Sequence, residues 1–115
     1  MKSYFYFIMI SIGFLSCIET HAQVPTPKSG RIIRHDNFPS NYVNPRHVDV
    51  WLPDNFESLK AAGQRFNVIY MHDGQMLFDA TTTWNKQEWM VDDVLSKLTS
   101  ENKIESSTIL CFVIS

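Results

Sequence analysis

Residues 65–79 read Arg-Phe-Asn-Val-Ile-Tyr-Met-His-Asp-Gly-Gln-Met-Leu-Phe-Asp. The run from Val68 to Met71 is apolar, β-branched and aromatic, and a turn-forming triplet at 72–74 ends it. This pattern predicts a central β-strand that is buried on both faces and is followed by a loop over residues 72–79. Ligands of open α/β sheets bind outside the carboxyl ends of the strands. We therefore expect this loop to belong to a functional site.

Two further strands are predicted ahead of this one. Residues 31–34 are a short apolar pair with polar ends, and residues 46–52 alternate two sets of side chains before Pro53. The first set is Val48, Val50 and Leu52, and the second is His47, Asp49 and Trp51. Residues 54–64 fit either a hairpin loop or a single helical turn. Strands joined by so short a connection are most simply antiparallel neighbours, so we predict a β-meander that pairs 46–52 with 66–71.

An amphipathic helix is predicted over residues 86–98. Its apolar positions recur at helical spacing, and they are Met90, Val91, Val94, Leu95 and Leu98. Glu88 falls in the first turns and Lys97 in the last, as the helix dipole favours. Neighbouring helical residues point about 100 degrees apart, so Asp92 and Asp93 cannot share a substrate atom and are interpreted as solvated.

Residues 108–114 form a nearly continuous apolar run that predicts another buried strand. Cys111 lies within it and is expected to be a small buried hydrophobe rather than a nucleophile. Strand, loop, helix and strand make one βαβ unit, whose strands should be parallel and whose crossover should be right-handed. The predicted fold class is α/β, an antiparallel β-meander followed by a βαβ unit. Because the last strand would expose apolar surface, we interpret residues 31–115 as the N-terminal, incomplete part of a larger domain rather than a complete small one.

The amino-terminal residues resemble an export signal. One lysine, an apolar run over residues 4–15 and the small-residue ending Thr20-His21-Ala22 predict a signal peptide over residues 1–22. The run is too short to span a membrane, which needs roughly 20 apolar residues. Cys17 leaves a lipid-anchored form open as the less favoured alternative. We expect a bacterial protein that is periplasmic or secreted, with residues 23–30 as an extended leader without a core of its own.

The net charge of −2 at pH 7 and the absence of a basic stripe argue against nucleic acid or an anionic membrane as partner. The cations Lys28, Arg31, Arg34 and Arg46 are scattered among turn residues and are interpreted as solvated. His35 and His47 have no cysteine or carboxylate at metal-binding spacing, so no metal site is predicted. After cleavage at residue 22, Cys111 would be the only cysteine, which leaves no internal disulfide.

Several motifs together resemble a known family. They are Phe38-Pro39-Ser40, the run Pro45-Arg46 leading into residues 48–53, the run 68–75 with Leu77-Phe78-Asp79, and Trp84 ahead of a helix. This combination resembles the putative esterase family of the α/β-hydrolase fold, which includes enterochelin-type siderophore esterases, feruloyl and acetylxylan esterases and relatives of S-formylglutathione hydrolase. The resemblance implies a mostly parallel sheet with an antiparallel start. It also implies a serine hydrolase that needs no metal and no organic cofactor and cleaves a small-molecule or polysaccharide ester.

The sequence departs from the family pattern in one respect, because it contains no Gly-x-Ser-x-Gly. The resemblance implies that this nucleophile elbow, the acid and the histidine all follow the βαβ unit, so the chain is expected to be inactive alone. What it carries over is a backbone donor of the oxyanion hole in the loop after the central strand. The matching positions are Gln75, the first choice, and Gly74, which would let the backbone come close. The adjacent pair His72 and Asp73 is interpreted as orienting the loop.

Aromatic and apolar residues of this region are candidates for a substrate cleft. Met76 and Phe78 are predicted to bind substrate, with packing of the loop as an equally weighted alternative. Trp84 and Trp89 are weaker candidates, and packing is favoured for Trp89. The rival function is a non-catalytic exported binding module that keeps a degenerate hydrolase fold.

Overall fold

The computed structural model describes residues 22–113. Its elements in chain order are β1 (Arg31–Phe38), β2 (Arg46–Leu52), α1 (Phe56–Ala61), β3 (Asn67–Met71), a 3-10 turn (Gly74–Met76), α2 (Val91–Ser100) and β4 (Ser107–Phe112). The predicted signal peptide, except for Ala22, lies outside the described residues, as do residues 114 and 115. Within the described residues, no helix has the length and apolar character needed to cross a membrane.

The four strands form one mixed sheet in the order β1-β2-β4-β3. β2 is antiparallel to β1 and to β4, so that Val50 lies opposite Ile33 on one side and Leu110 on the other. β3 is parallel to β4, with Ile69 opposite Ile109. The predicted antiparallel start and the predicted parallel βαβ unit are therefore confirmed.

The predicted pairing of β2 with β3 is wrong, because β4 lies between them. The position of β3 is also not the predicted one, since it forms an edge of the described sheet, with Val68 47% exposed and Tyr70 69% exposed. Both strands were candidates for the centre on composition alone. β4 takes that place, and Ile109 and Cys111 point into the core and are fully buried. A strand in the middle of a sheet satisfies its backbone groups on both sides, which suits the longest apolar run.

The connection between β2 and β3 forms the predicted helical turn rather than a hairpin loop. α1 begins where the Phe56 N–H donates to the Pro53 carbonyl at 3.0 Å. Its Phe56 ring packs against the Phe66 ring with centroids 4.6 Å apart, which closes the connection just before β3 starts. The helix lets the chain cross past the position that β4 occupies.

The helix predicted over residues 86–98 begins five residues later, at Val91. Lys86 and Met90 both have positive φ angles, 58° and 54°, which a continuous α-helix does not allow. The Trp89 N–H donates to the Met76 carbonyl at 2.9 Å, and the Val91 N–H donates to the Leu77 carbonyl at 3.2 Å. Residues 86–90 therefore do not form the first turns of a helix. The chain on either side of Met90 is hydrogen-bonded to the preceding turn instead.

The core lies between the sheet and α2. Its buried members are Trp51, Leu77, Phe78, Leu95, Ile109 and Cys111. Cys111 is the buried residue that the sequence predicts, and burial raises the pKa of its thiol to about 12.

Two charged residues interpreted as solvated are instead buried. Asp92, in the first turn of α2, is fully buried and accepts the backbone N–H groups of Lys28 and Ser29. The Arg34 side chain is 6% exposed and pairs with the buried carboxylate of Asp49. Both corrections have the same cause, since each charge has a specific partner from a distant part of the chain. Sequence composition does not reveal such partners.

Candidate active-site loop

The loop between β3 and α2 lies at the carboxyl ends of two parallel strands. Met71, the last residue of β3, is paired with Cys111 near the end of β4. The loop therefore starts at the edge of the sheet where the chains leaving both strands meet, which is where ligands of α/β sheets bind.

A tight turn begins the loop. Asp73 has a left-handed conformation with φ of 54°, and the Met76 N–H donates to the Asp73 carbonyl at 2.8 Å. Gly74 is buried between them. A Cβ atom on Gly74 would lie 3.0 Å from the Cys111 sulfur and 3.1 Å from the Phe112 carbonyl oxygen. The absence of a side chain on Gly74 thus lets the turn pack closely against the end of β4.

Two side chains fix the next part of the loop in the core. Leu77 and Phe78 are both fully buried. Of the two roles considered for Phe78, packing of the loop onto the sheet is the one that this position fits. Met76 is half-buried and its carbonyl accepts the Trp89 N–H, so it links the two ends of the loop.

Asp79 organises the centre of the loop through its carboxylate. One oxygen accepts the Thr81 N–H at 2.8 Å and the Thr81 hydroxyl at 2.6 Å. The other accepts the Thr26 N–H at 2.8 Å. The hydrogen bonds from Thr81, followed by that from Thr26, lower the pKa of Asp79, so the carboxylate stays ionised.

A cavity of about 240 Å³ lies beside Gln75. Its lining includes Gln23, Arg34, Gln75, Thr82, Thr83 and Trp84. Trp84 is 87% exposed, whereas Trp89 is 52% exposed, so about half of Trp89 is covered by the protein. A larger cavity of about 540 Å³ is lined by Gln64, Arg65 and residues 102–106, which lie at the amino ends of β3 and β4. That end of the sheet is remote from the loop.

A buried ion pair lies next to the smaller cavity. Arg34 Nε donates to one oxygen of Asp49 at 2.7 Å, and Arg34 Nη2 donates to the other at 2.8 Å. Arg34 Nη1 also donates to the Ala22 carbonyl. Its hydrogen bonds to Asp49 raise the pKa of the Arg34 guanidinium, which therefore stays charged. Because the opposite charges of the ion pair cancel, the pair links β1 to β2 without adding net charge to the lining of the cavity.

Within the described residues, His72 has no catalytic partner beside it. His72 is exposed, and its ring centroid lies 6.1 Å from that of Phe112. In the part of the chain that the structure describes, no three His, Cys, Asp or Glu side chains are grouped to bind a metal ion. The loop contributes backbone N–H groups and part of the lining of the cavity beside Gln75.

Sequence reasoning identified the loop and Gly74, but it missed Arg34 and Asp79. The Asp79-Ala80-Thr81 segment is a local signal that was available, because aspartate commonly accepts the N–H two residues ahead of it. Arg34 had no such signal, since its partner is defined only by the register of β1 against β2.

A mixed four-stranded sheet with two helices, and a glycine-containing loop at its carboxyl edge, define an α/β protein. The model of the family described as "Putative esterase" matches residues 40–113, and the chain belongs to that family. Among solved structures, the chain is similar to a ferulic acid esterase, with 20% identity and a TM-score of 0.49. That similarity covers 76% of this chain and 31% of the other, so the chain spans about a third of that protein's length. No curated protein matches the chain.

Proposed function

We propose that this chain is the N-terminal part of an exported serine hydrolase that cleaves a carboxylic ester. The observation that carries the proposal is the family match over residues 40–113, which includes the whole loop between β3 and α2. The candidate substrates are a siderophore lactone, a feruloyl or acetyl group on a plant polysaccharide, and a small ester. The nucleophile elbow, the acid and the histidine would be supplied by sequence that follows this chain, which would be inactive alone.

The chemical contribution of the loop follows from its backbone. Attack on an ester carbonyl places negative charge on the former carbonyl oxygen, and fixed N–H donors stabilise that charge without reorganising. The N–H of Gln75 is the proposed donor, with that of Gly74 as second choice. Three features support this assignment: the position at the carboxyl edge of the sheet, the tight packing of Gly74 and the two buried anchors that follow it. Each donor of this kind is worth roughly 3 kcal/mol in the transition state.

The experiment is to express the complete hydrolase and measure its hydrolysis of p-nitrophenyl acetate. Gln75→Pro removes the proposed N–H donor, whereas Gln75→Ala keeps it and alters only the side chain. We expect Gln75→Pro to lower kcat about 100-fold to 1000-fold. Gln75→Ala should retain most of the activity. Equal losses in the two variants would show that the side chain, not the backbone donor, matters.

The alternative is an exported binding module with a degenerate hydrolase fold, which a downstream segment without the serine elbow would favour. The coding sequence after Ser115 distinguishes the two. A continuing frame that encodes Gly-x-Ser-x-Gly supports the hydrolase. A frame that lacks it, or a stop codon, supports the binding module.

A further inference from the structure

The leader segment, residues 23–30, has no helix or strand but is held by specific contacts. Asp79 of the loop accepts the Thr26 N–H at 2.8 Å. Asp92 of α2 accepts the Lys28 N–H at 2.7 Å and the Ser29 N–H at 3.1 Å with the same oxygen. The leader segment has no helix or strand whose hydrogen bonds could use these three N–H groups. Two carboxylates, one from the loop and one from α2, accept them instead.

Further contacts fix the segment at its carboxyl end. The Trp51 indole N–H donates to the Ser29 carbonyl at 2.8 Å, and the Ser29 hydroxyl lies 2.8 Å from that of Ser96 in α2. Gly30 has φ of 73°, and a Cβ atom there would lie 2.3 Å from the Leu52 carbonyl oxygen. The segment enters β1 along one path that a larger residue at position 30 would block.

The amino end of the same segment reaches the candidate site. Gln23 lines the cavity of about 240 Å³ that also contains Gln75. Gln23 remains in the protein if the signal peptide is cleaved after Ala22. The loop and the leader segment are linked directly, because Asp79 bonds both Thr26 and the loop residue Thr81.

We propose that the leader segment forms a fixed wall of the substrate cavity, and that Asp79 and Asp92 are positioning residues that hold this wall against the loop and α2. This inference rests on the proposed function. The cavity is smaller than the roughly 300 Å³ at which pockets for drug-sized ligands begin. A wall on one side of so small a cavity limits how long an acyl group the cavity admits, and releasing the wall admits a longer one.

The first measurement is amide hydrogen exchange on the complete hydrolase and on its variants Asp79→Asn and Asp92→Ala. An asparagine side chain presents an N–H₂ group where one carboxylate oxygen was, and it carries no charge. We expect the Thr26 amide in Asp79→Asn to exchange about tenfold faster, as for loss of a hydrogen bond to a charged acceptor. The amides of Lys28 and Ser29 should respond in the same way to Asp92→Ala, which removes the oxygen that accepts both. Alanine is used here because asparagine could keep its oxygen on both amides and place its N–H₂ group where the other Asp92 oxygen has no described partner.

Asp93→Ala is the matched control. Asp93 is the next residue of the same helical turn, but it approaches the leader segment only through the Lys28 ammonium group at 3.5 Å. Its substitution should leave all three amides protected. Unprotected leader amides in the unaltered chain, or equal acceleration in all three variants, would overturn the proposed anchoring.

The second measurement is acyl-chain selectivity in the complete hydrolase, as the ratio of kcat/KM for p-nitrophenyl octanoate to that for p-nitrophenyl acetate. Asp79→Asn and Asp92→Ala should raise this ratio by about tenfold, chiefly through a lower KM for the octanoate, and Asp93→Ala should not. Faster leader exchange with an unchanged ratio would show an anchored segment that is not a wall of the site. Absence of hydrolysis by the unaltered protein would reject the proposed function, whereas the exchange result would still decide whether the carboxylates hold the segment.

Discussion

Gly74 determines how closely the loop approaches the end of β4. A methyl group at this position would meet the Cys111 sulfur, the Phe112 carbonyl oxygen and a Val113 methyl at 3.0 to 3.2 Å. Gly74→Ala is expected to lower the free energy of unfolding by about 1–3 kcal/mol, because backbone and core side chains must move to make room. Urea denaturation measures the change.

Gly63→Ala is the control for this substitution. Gly63 has φ of 75° but no atom lies within 4 Å of its Cβ position, so alanine there meets conformational strain without crowding. It should cost roughly 1 kcal/mol. Only Gly74→Ala should also accelerate amide exchange at residues 74–78. Unchanged exchange in that loop would mean that Gly74 is not what sets its position.

The buried pair of Arg34 and Asp49 gives a second prediction at a single site. Asp49→Ala leaves a guanidinium inside the protein without its partner, so we expect a loss of about 3–5 kcal/mol in the free energy of unfolding. The double variant Arg34→Met, Asp49→Leu should recover much of that loss, because neither charge then remains. Urea denaturation of both variants tests this.

The exposed pair of Arg31 and Glu57 is the comparison for that experiment. Both of its side chains are about half exposed or more, so Glu57→Ala should change the free energy of unfolding by less than about 1 kcal/mol. Similar losses for Asp49→Ala and Glu57→Ala would contradict the burial argument.

Among the elements, strands were predicted more reliably than their order. Each strand is a local pattern of apolar residues, whereas the order depends on which edges meet across long stretches of chain. β4 lies between β2 and β3, and its alternate side chains are buried, whereas no side chain of β3 is. No local pattern in β3 predicts its place at the edge. The start of α2 was missed for a related reason, since the N–H groups of Trp89 and Val91 bond to the distant turn at residues 76 and 77.

Central placement of β4 should protect its only thiol. Burial raises the pKa of Cys111 to about 12, and the thiolate is the reactive form. In a Cys17→Ser background, iodoacetamide at pH 8 should leave the native protein unlabelled and label it fully in denaturant. Mass spectrometry measures both states. Rapid labelling of the native protein would show that β4 is not covered as described.

The link between the leader segment and the loop should depend on pH through Asp79. The pKa of Asp79 is lowered in the folded state, so its contribution to stability is present above the unfolded-state pKa of about 3.9. That contribution disappears as the pH falls through the lower, folded-state value. The difference in free energy of unfolding between the unaltered protein and Asp79→Asn should thus be constant above about pH 5 and shrink below about pH 4. A difference independent of pH would mean that the ionised carboxylate is not the stabilising form.

For the whole molecule, the sequence predicted the α/β class, the parallel βαβ unit and the location of the loop. It did so because periodicity and turn residues are local properties. It did not predict which residues line the cavity, since Gln23, Arg34 and Gln75 come together only through the folded sheet and the docked leader segment. Substrate contact by Met76 stays a prediction.

The sheet should not survive removal of its central strand. Deleting residues 106–115 leaves β1 paired with β2 but separates β3 from every partner in the described sheet. We expect loss of the near-ultraviolet circular dichroism of the buried Trp51 and of a cooperative thermal transition. A chain deleted only at residues 114 and 115 is the control. Retention of the transition in the shorter chain would show that β1, β2 and α1 form a stable unit without β4.

The strand order also has a consequence for the nascent chain during synthesis. β3 leaves the ribosome before β4, and 35 residues separate the end of the one from the start of the other. At a synthesis rate of about 5–20 residues per second, that interval is roughly 2–7 seconds. During it β4, the strand that joins β2 to β3, has not yet been made. On the proposed export, the signal at the amino terminus is available throughout this interval. A translocation machinery that accepts only unfolded chains would therefore meet this one before its sheet can form.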